Sequence, residues 1–356
     1  MTTVTFPISI EKTQYSRLAT LDFNNIPFGQ IFSDHMLVAT YEAGQWQSAK
    51  IMPYGGLEMA PSLSALHYGQ AVFEGMKAYK SPDKKPLLFR PDANFNRMNK
   101  SAERLCMPTI PRQIFIEGLK QLIQLDSGWI PETEDSVLYI RPIYFATEES
   151  IGLKPSSSYK FIIITCPVGS YYSEPVRLIV TQKYVRACEG GTGAAKVAGN
   201  YAPSLLADKE AKAQGYDNVI WLDAIDHKYI EECGTMNLAF VIDDVVVTPK
   251  LTGTILPGIT RDSVLTLFRS MGVKVEERLI SIDEIVEAYH QGQLKEAFGM
   301  GTAATIAHIS TINHQGIEMT LPPVSERYYG NTVCQKLREI KTAQCDDPQG
   351  WVRHLE

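Results

Sequence analysis

The chain has 356 residues, of which 44% are hydrophobic and 21% charged, and its formal net charge is −6. That length predicts about two domains rather than one core. The absence of a long basic run argues against nucleic acid as a partner, and no apolar stretch approaches the ~20 residues that a membrane-spanning helix needs.

The opening residues, MTTVTFPISIEKTQYS, carry no basic segment followed by an apolar one. A secretory signal is therefore not expected, and the expected location is the cytoplasm. Phe32 to Tyr41 and Gln47 to Met52 flank Glu42-Ala43-Gly44-Gln45 as a hairpin, and Phe73 to Tyr79 with Pro86 to Phe89 form another. Asp92 to Arg104 reads as a helix with Asp92 as N-cap. Ile114, Leu119, Leu122, Ile123 and Leu125 mark the apolar side of a second helix, and Val137 to Ile143 and Tyr159 to Cys166 are strands. The run 167–175, rich in Pro, Gly and Ser, is expected to link a smaller N-terminal α/β domain (1–166) to a larger C-terminal cofactor-binding domain (176–356).

The second half alternates strands and helices. Val176 to Val180 is a strand, Pro203 to Gln214 a helix closed by Gly215, and Val219 to Leu222 and Leu238 to Ile242 are strands. Ile259 to Met271 is a helix with Val264, Leu267, Phe268 and Met271 on one face, and Ser281 to Glu284 is a capping box that opens the next one. The fold class is α/β (α+β). Six cysteines, at 106, 166, 188, 233, 334 and 345, form no C-x-x-C pair and are expected to be buried reduced thiols. The seven histidines show no metal-ligand spacing, so no metal site is expected.

A Gly-rich stretch, GGTGAAKVAGNY (190–201), follows the strand Val176 to Val180. It fails as a phosphate-binding P-loop: Ala195 stands where the second glycine belongs, and Val197 where a magnesium-holding hydroxyl belongs. It fails as a dinucleotide fingerprint too, since the last glycine of that pattern falls on Lys196. Three further segments bear on Lys196. Glu231 and Glu232 adjoin a Gly-Thr turn, and neighbours on a strand point to opposite faces, so one of the two can face a site. Pro257-Gly258 precedes the helix at Ile259 and offers backbone N–H groups to an anion. Phe298-Gly299-Met300-Gly301-Thr302-Ala303-Ala304 supplies small residues that admit a ligand. A reactive amine, a carboxylate and an anion-binding helix end are what pyridoxal 5′-phosphate requires: a Schiff-base lysine, a partner for its protonated ring nitrogen, and donors for its phosphate.

GGTGAAKVAGNYAP, EECGTMN, ILPGITR and FGMGTAA, with FEGMKAY and LFRPDANFNRM upstream, resemble the branched-chain amino acid aminotransferases of bacterial type, in order from about Phe28 to about Ala307. The resemblance implies the two-domain fold-type IV architecture of pyridoxal-phosphate enzymes. It implies ping-pong transamination of L-leucine, L-isoleucine and L-valine with 2-oxoglutarate, giving branched-chain 2-oxo acids and L-glutamate. It implies a homodimer or an assembly of dimers, with no nucleic acid and no membrane as partner.

Carried over position by position, the resemblance implies that Lys196 bonds the cofactor aldehyde and moves the substrate proton. It pairs Glu232 with the ring nitrogen and Tyr201 with the phenolic oxygen, and it assigns the phosphate to Arg97, the N–H groups of Ile259 and Thr260, and Thr302. On the substrate side it places Thr235 and Ala303 at the α-carboxylate, and Phe28, Tyr68, Phe73, Tyr139 and Tyr171 around the side chain. Arg141 orients the loops that take the glutamate γ-carboxylate, and Leu153 reaches the neighbouring subunit's site. The chain departs from mammalian members at Ala304 and Ala307, where those carry C-x-x-C, so no thiol switch is expected there. A D-amino acid aminotransferase or aminodeoxychorismate lyase of the same fold, and a catalytically silent cofactor-binding module, stand as alternatives.

Overall fold

A computed structural model describes residues 6–23, 25–133, 136–169 and 174–355. Within them the chain divides into two compact units. The first takes the residues up to 169, Lys196–Gly199 and those from 339 on; the second takes 174–195 and 200–338. No helix among the described residues is long and apolar enough to cross a membrane.

The first unit carries β1 (Ile8–Ile10), β2 (His35–Glu42), β3 (Gln45–Trp46), β4 (Ala49–Pro53), α1 (Ser64–Tyr68), β5 (Ala71–Phe73), β6 (Met76–Lys80), β7 (Pro86–Phe89), α2 (Pro91–Arg104), α3 (Gly118–Leu125), β8 (Val137–Ala146) and β9 (Tyr159–Val168). The sheet order is β1-β4-β2-β9-β8-β6-β7, with the C-terminal strand Val352–His354 beyond β7. β8 and β9 pair along ten residues, from Val137↔Val168 to Ala146↔Tyr159. Their inward side chains (Ile140, Tyr144, Phe161 and Ile163) are fully buried. α3 lies close on this sheet because Gly118 leaves room for Leu37, and Leu119, Leu122 and Ile123 are buried beside it.

The second unit carries β10 (Val176–Val180), α4 (Ser204–Ala213), β11 (Asn218–Leu222), β12 (Ile230–Cys233), β13 (Asn237–Ile242), β14 (Val245–Pro249), α5 (Ile259–Ser270), β15 (Val275–Arg278), α6 (Ile282–His290), β16 (Leu294–Gly301), β17 (Thr305–His314), β18 (Ile317–Thr320) and most of α7 (Tyr329–Lys341). The order is β12-β11-β10-β17-β16-β13-β14-β15, with β18 on β17. Its core gathers Leu178, Ile220, Leu238, Phe240, Ala297, Ile309 and Ile312.

Several expected elements stand with altered bounds. The first hairpin turns at Ala43-Gly44, both at positive φ, as the two-residue turn between β2 and β3 demands; β4 then re-pairs with β2. The strand expected over 73–79 breaks at Glu74-Gly75, where β5 and β6 pair separately with β8. The N-cap of α2 is Arg90 at φ 50, not Asp92, because Pro91 is pre-set for the first helical position. The second helix opens with a π-helical turn over Gln113–Glu117 before α3. Met271 caps α5 and is 40% exposed rather than sharing the face of Val264, Leu267 and Phe268. Ser281 accepts the N–H of Glu284 as expected, but the Glu284 carboxylate turns to Arg278.

Pro167 and Val168 belong to β9 and not to a linker; 170–173 lie outside the described residues, and Tyr171 with them. The residues from 339 on, expected in the second domain, group with the first unit because β19 (Val352–His354) pairs antiparallel with β7. No two of the six cysteines form a disulfide, and Cys106 and Cys188 are exposed rather than buried.

Candidate active site

In the first unit a ring cluster surrounds Lys196. The isolated bridge Val72↔Val197, the bond from Phe73 N–H to the Lys196 carbonyl at 3.1 Å, and the bond from Lys196 N–H to Ser101 Oγ at 2.9 Å fix its backbone. Its Nζ lies 4.9 Å from the centre of the Phe73 ring. Arg141 stands 4.7 Å from that ring and 5.3 Å from Tyr139, and donates to the Tyr139 hydroxyl at 3.0 Å. Phe28 meets Tyr139 edge-on at 5.8 Å. Gly75 is required here, since a Cβ would overlap the Tyr139 hydroxyl. Burial, followed by the positive charge of Arg97, lowers the Lys196 amine to about 8; Glu74 and Tyr139 partly oppose this.

Arg97 projects from α2 and is buried against Glu74, donating from Nε and Nη2 at 2.7 Å each. Arg141 Nε is buried without a hydrogen-bond partner, an orphaned donor beside the rings. Tyr68 and Leu153 lie outside the ring cluster. The Tyr68 hydroxyl donates to the Ile151 carbonyl, and Leu153 is 83% exposed.

In the second unit Glu232 and Tyr201 line one cleft with Arg186, Asn200, Thr235 and Leu256. Glu232 Oε1 accepts the Leu256 N–H at 2.8 Å, and Oε2 lies 3.4 Å from Arg186 Nε. Both carboxylates of the pair on β12 are buried, yet they take different partners. Thr254 donates its hydroxyl to Glu231, and burial pushes the Glu231 carboxyl above its ordinary range. Thr235 is exposed in the turn between β12 and β13. Thr302 and Ala303 occupy the turn between β16 and β17, half-buried. α5 opens at Ile259-Thr260 with Gly258 as N-cap, which has no side chain to cap the first turn; a Cβ at Gly258 would overlap Asn237 Oδ1.

Three polar residues escape sequence reasoning. Asn200 Nδ2 donates to the carbonyls of Thr192 and Ala195 at 2.9 Å each, and Thr192 Oγ1 donates to Asn200 Oδ1 at 2.6 Å, so one amide braces the Gly-rich loop. Glu74 is legible only as a lone charge inside an apolar run. Arg186, in the polar run Thr181 to Arg186, carries no signal of burial at all.

The first unit thus holds an amine lowered to about 8, and the second a buried carboxylate and a helix start with no side-chain cap; each is a group suited to amino-group or anion chemistry. The family model described as amino-transferase class IV matches residues 71–312. The branched-chain-amino-acid transaminase 1 of Bacillus subtilis (strain 168) is 45% identical over 349 residues, covering 97% of this chain and 98% of that one. The branched-chain aminotransferase of the archaeon Thermoproteus uzoniensis, crystallised with norvaline, superposes with a TM-score of 0.75 at 25% identity, covering 90% and 100% of the two chains. The branched-chain amino acid aminotransferase of a T.th. strain, complexed with N-(5′-phosphopyridoxyl)-L-glutamate, gives 0.71 at 27% identity, covering 89% and 98%. The chain belongs to the class IV aminotransferases, within their branched-chain-amino-acid aminotransferase family.

Proposed function

We propose that the protein transfers the amino group of L-leucine, L-isoleucine or L-valine to 2-oxoglutarate, using pyridoxal 5′-phosphate in a ping-pong cycle. The observation that carries this is the Lys196 amine, 4.9 Å from the centre of the Phe73 ring and lowered by burial to about 8. When bound, the cofactor supplies an aldehyde that bonds an amine and a ring that accepts an electron pair.

The residues present fit that group. Lys196 supplies the amine, and its Nζ takes the proton from the substrate Cα; an amine lowered to about 8 is already partly deprotonated near neutral pH. Glu232 supplies the acceptor for the ring nitrogen, and Tyr201 in the same cleft a hydroxyl for the phenolic oxygen. Arg97, Thr302 and the N–H groups of Ile259 and Thr260 supply donors for the phosphate, which the helix dipole of α5 also favours.

For the substrate, Thr235 and Ala303 are assigned to the α-carboxylate, and Phe28, Tyr68, Phe73, Tyr139 and Tyr171 to the side chain. The orphaned Arg141 Nε, beside the Phe73 and Tyr139 rings, supports a role near a glutamate carboxylate. Leu153, with Leu66 and Ile151, leaves an exposed apolar surface (71–83%) that supports a homodimer or an assembly of dimers, with Leu153 serving the neighbouring copy. The protein acts in the cytoplasm.

Absorbance of the purified protein before and after L-leucine tests the reading. Loss of the long-wavelength cofactor band supports it. A protein with no such band, or with no borohydride-trapped adduct on Lys196, sinks it. Comparing L-leucine, D-alanine, L-glutamate and aminodeoxychorismate as substrates separates it from the other enzymes of the fold.

A further inference from the structure

Arg186 has only 10% of its side chain exposed, and the Glu232 side chain beside it 4%. The guanidinium reaches three parts of the second unit. Nη2 donates to the Gly193 carbonyl at 2.9 Å, in the Gly-rich loop, and to the Thr254 carbonyl before α5, while Nε lies 3.4 Å from Glu232 Oε2. The two carbonyls take hydrogen bonds from Nη2 alone, Nε is buried with no hydrogen bond, and carbonyls do not neutralise a charge. Two carboxylates face this guanidinium. Glu231 is engaged by the Thr254 hydroxyl, and Glu232 forms the ion pair. A buried arginine without an anion is strongly unfavourable, so the ion pair and the position of the carboxylate depend on each other.

We infer that Arg186 is a positioning residue for Glu232: it holds the carboxylate in place and in its charged state, so that a proton shared with a ring nitrogen bound there rests on the nitrogen. The inference rests on the pyridoxal-phosphate reading and deepens it. One proton has two places to sit, Glu232 Oε2 or the ring nitrogen. With the proton on the nitrogen, the carboxylate is negative and the guanidinium beside it stabilises that charge at short range in a water-poor setting. With the proton on the carboxyl, that stabilisation is lost and the guanidinium is left buried beside a neutral group. The backbone bond from Leu256 holds the other carboxylate oxygen and keeps the arrangement from rotating. The same guanidinium fixes the Gly193 carbonyl, so one side chain ties the carboxylate to the glycine-rich turn of the same unit.

The test uses the holoenzyme loaded with cofactor labelled with 15N in the ring, and reads the ring-nitrogen resonance together with the cofactor dissociation constant. In the wild-type protein the resonance lies at the protonated position. Arg186→Gln moves it toward the unprotonated position and raises the dissociation constant about tenfold or more. Arg186→Lys, which keeps the charge, leaves the resonance near the wild-type position. Arg186→citrulline keeps the shape and the donors to both carbonyls while removing the charge; it separates charge from packing and carries the test if Arg186→Gln does not fold. A citrulline or Gln protein whose ring-nitrogen resonance stays put overturns the inference and leaves the cofactor reading intact. So does a wild-type resonance at the unprotonated position. A wild-type protein that takes up no cofactor overturns both.

Discussion

Arg97 and Glu74 form a two-pronged ion pair deep in the first unit. The Glu74 side chain is fully buried, and its Oε2 also accepts from Asn94 Nδ2 at 2.8 Å and from the Gly75 N–H at 3.2 Å. The arginine expected to clamp a phosphate is therefore already oriented by a carboxylate from the break between β5 and β6. Such an arrangement makes the orientation of Arg97 a property of the fold.

Removing Glu74 should cost far more than a surface ion pair. Glu74→Ala strands a buried guanidinium and a buried Asn94 amide, for which about 3–5 kcal/mol is the ordinary penalty. Urea unfolding should show the midpoint falling with an unchanged slope. A midpoint equal to wild type would show that Arg97 finds water or another acceptor, and the orienting role would fall.

The cofactor class was open to sequence reasoning, because that cofactor demands residue types that few alternatives supply. A lysine after a failed P-loop, a carboxylate before a Gly-Thr turn and a helix opened by Pro-Gly pointed to the cofactor class before any contact was known. The partners that tune these groups were hidden. Arg186 sits in a run with no periodicity, and Glu74 is 23 residues from the arginine that justifies its burial. Domain bounds were hidden for the same reason. β19 joins β7 across more than half the chain, a pairing that no local propensity encodes. β16 and β17 went unread because Gly299, Gly301 and the small residues around 302–304 look like a loop; the close packing of Met236 on Gly299 and Gly301 explains why glycine is needed inside that strand.

The lowered Lys196 amine sets two pH dependences. Unfolded, the amine takes its ordinary value of 10.5; folded, about 8. Between these the unfolded state binds more protons, so stability rises as pH increases through this window, and the full penalty is present below about pH 8. Lys196→Met removes the penalty. Its stability relative to wild type should be greatest below pH 8 and should shrink toward pH 10.5. The second dependence is kinetic. The rate at which pyridoxal phosphate bonds the cofactor-free wild-type protein should rise about tenfold per pH unit below 8 and level off above, as the neutral fraction of the amine does. A rate still climbing steeply at pH 10 would mean that the amine is not perturbed. Lys196→Ala should abolish transamination, and retained activity would falsify the proposed role.

The glycines of the Gly-rich stretch are unequal. A Cβ on Gly193 would overlap the Thr254 carbonyl and Ala187, both fixed features, and Thr254 is itself held by Arg186. A Cβ on Gly199 would meet only Val197 Cγ1 at 3.9 Å, an ordinary contact. Gly193→Ala should therefore cost about 1–3 kcal/mol of stability and shift the loop that carries Lys196, whereas Gly199→Ala should fall within about 0.5 kcal/mol of wild type. Thermal unfolding of the two variants, side by side, checks this. Equal effects would show that Gly193 is present for chain entropy and not for space.

The last test concerns a carboxylate outside the site. Glu296, buried on β16, accepts the N–H groups of Tyr328 and Tyr329 on Oε1 and that of Gly330 on Oε2, each at 2.8 Å. It thus caps the start of α7 from a distant strand, satisfying donors that the helix leaves unpaired and placing negative charge at the positive end of the helix. Gly330 is needed there, because a Cβ would press on the His308 ring. Glu296→Gln replaces one acceptor oxygen by an NH2. Whichever way the amide turns, at least one of the three backbone donors then faces another donor inside a buried site. The expected cost is about 1–3 kcal/mol, with faster hydrogen exchange at the amides of 328–330 and smaller changes in the strands of the same unit. Loss of protection spread evenly through the unit would mean that Glu296 acts on the sheet rather than on the helix start, and equal protection in both proteins would show that the cap contributes nothing to holding α7.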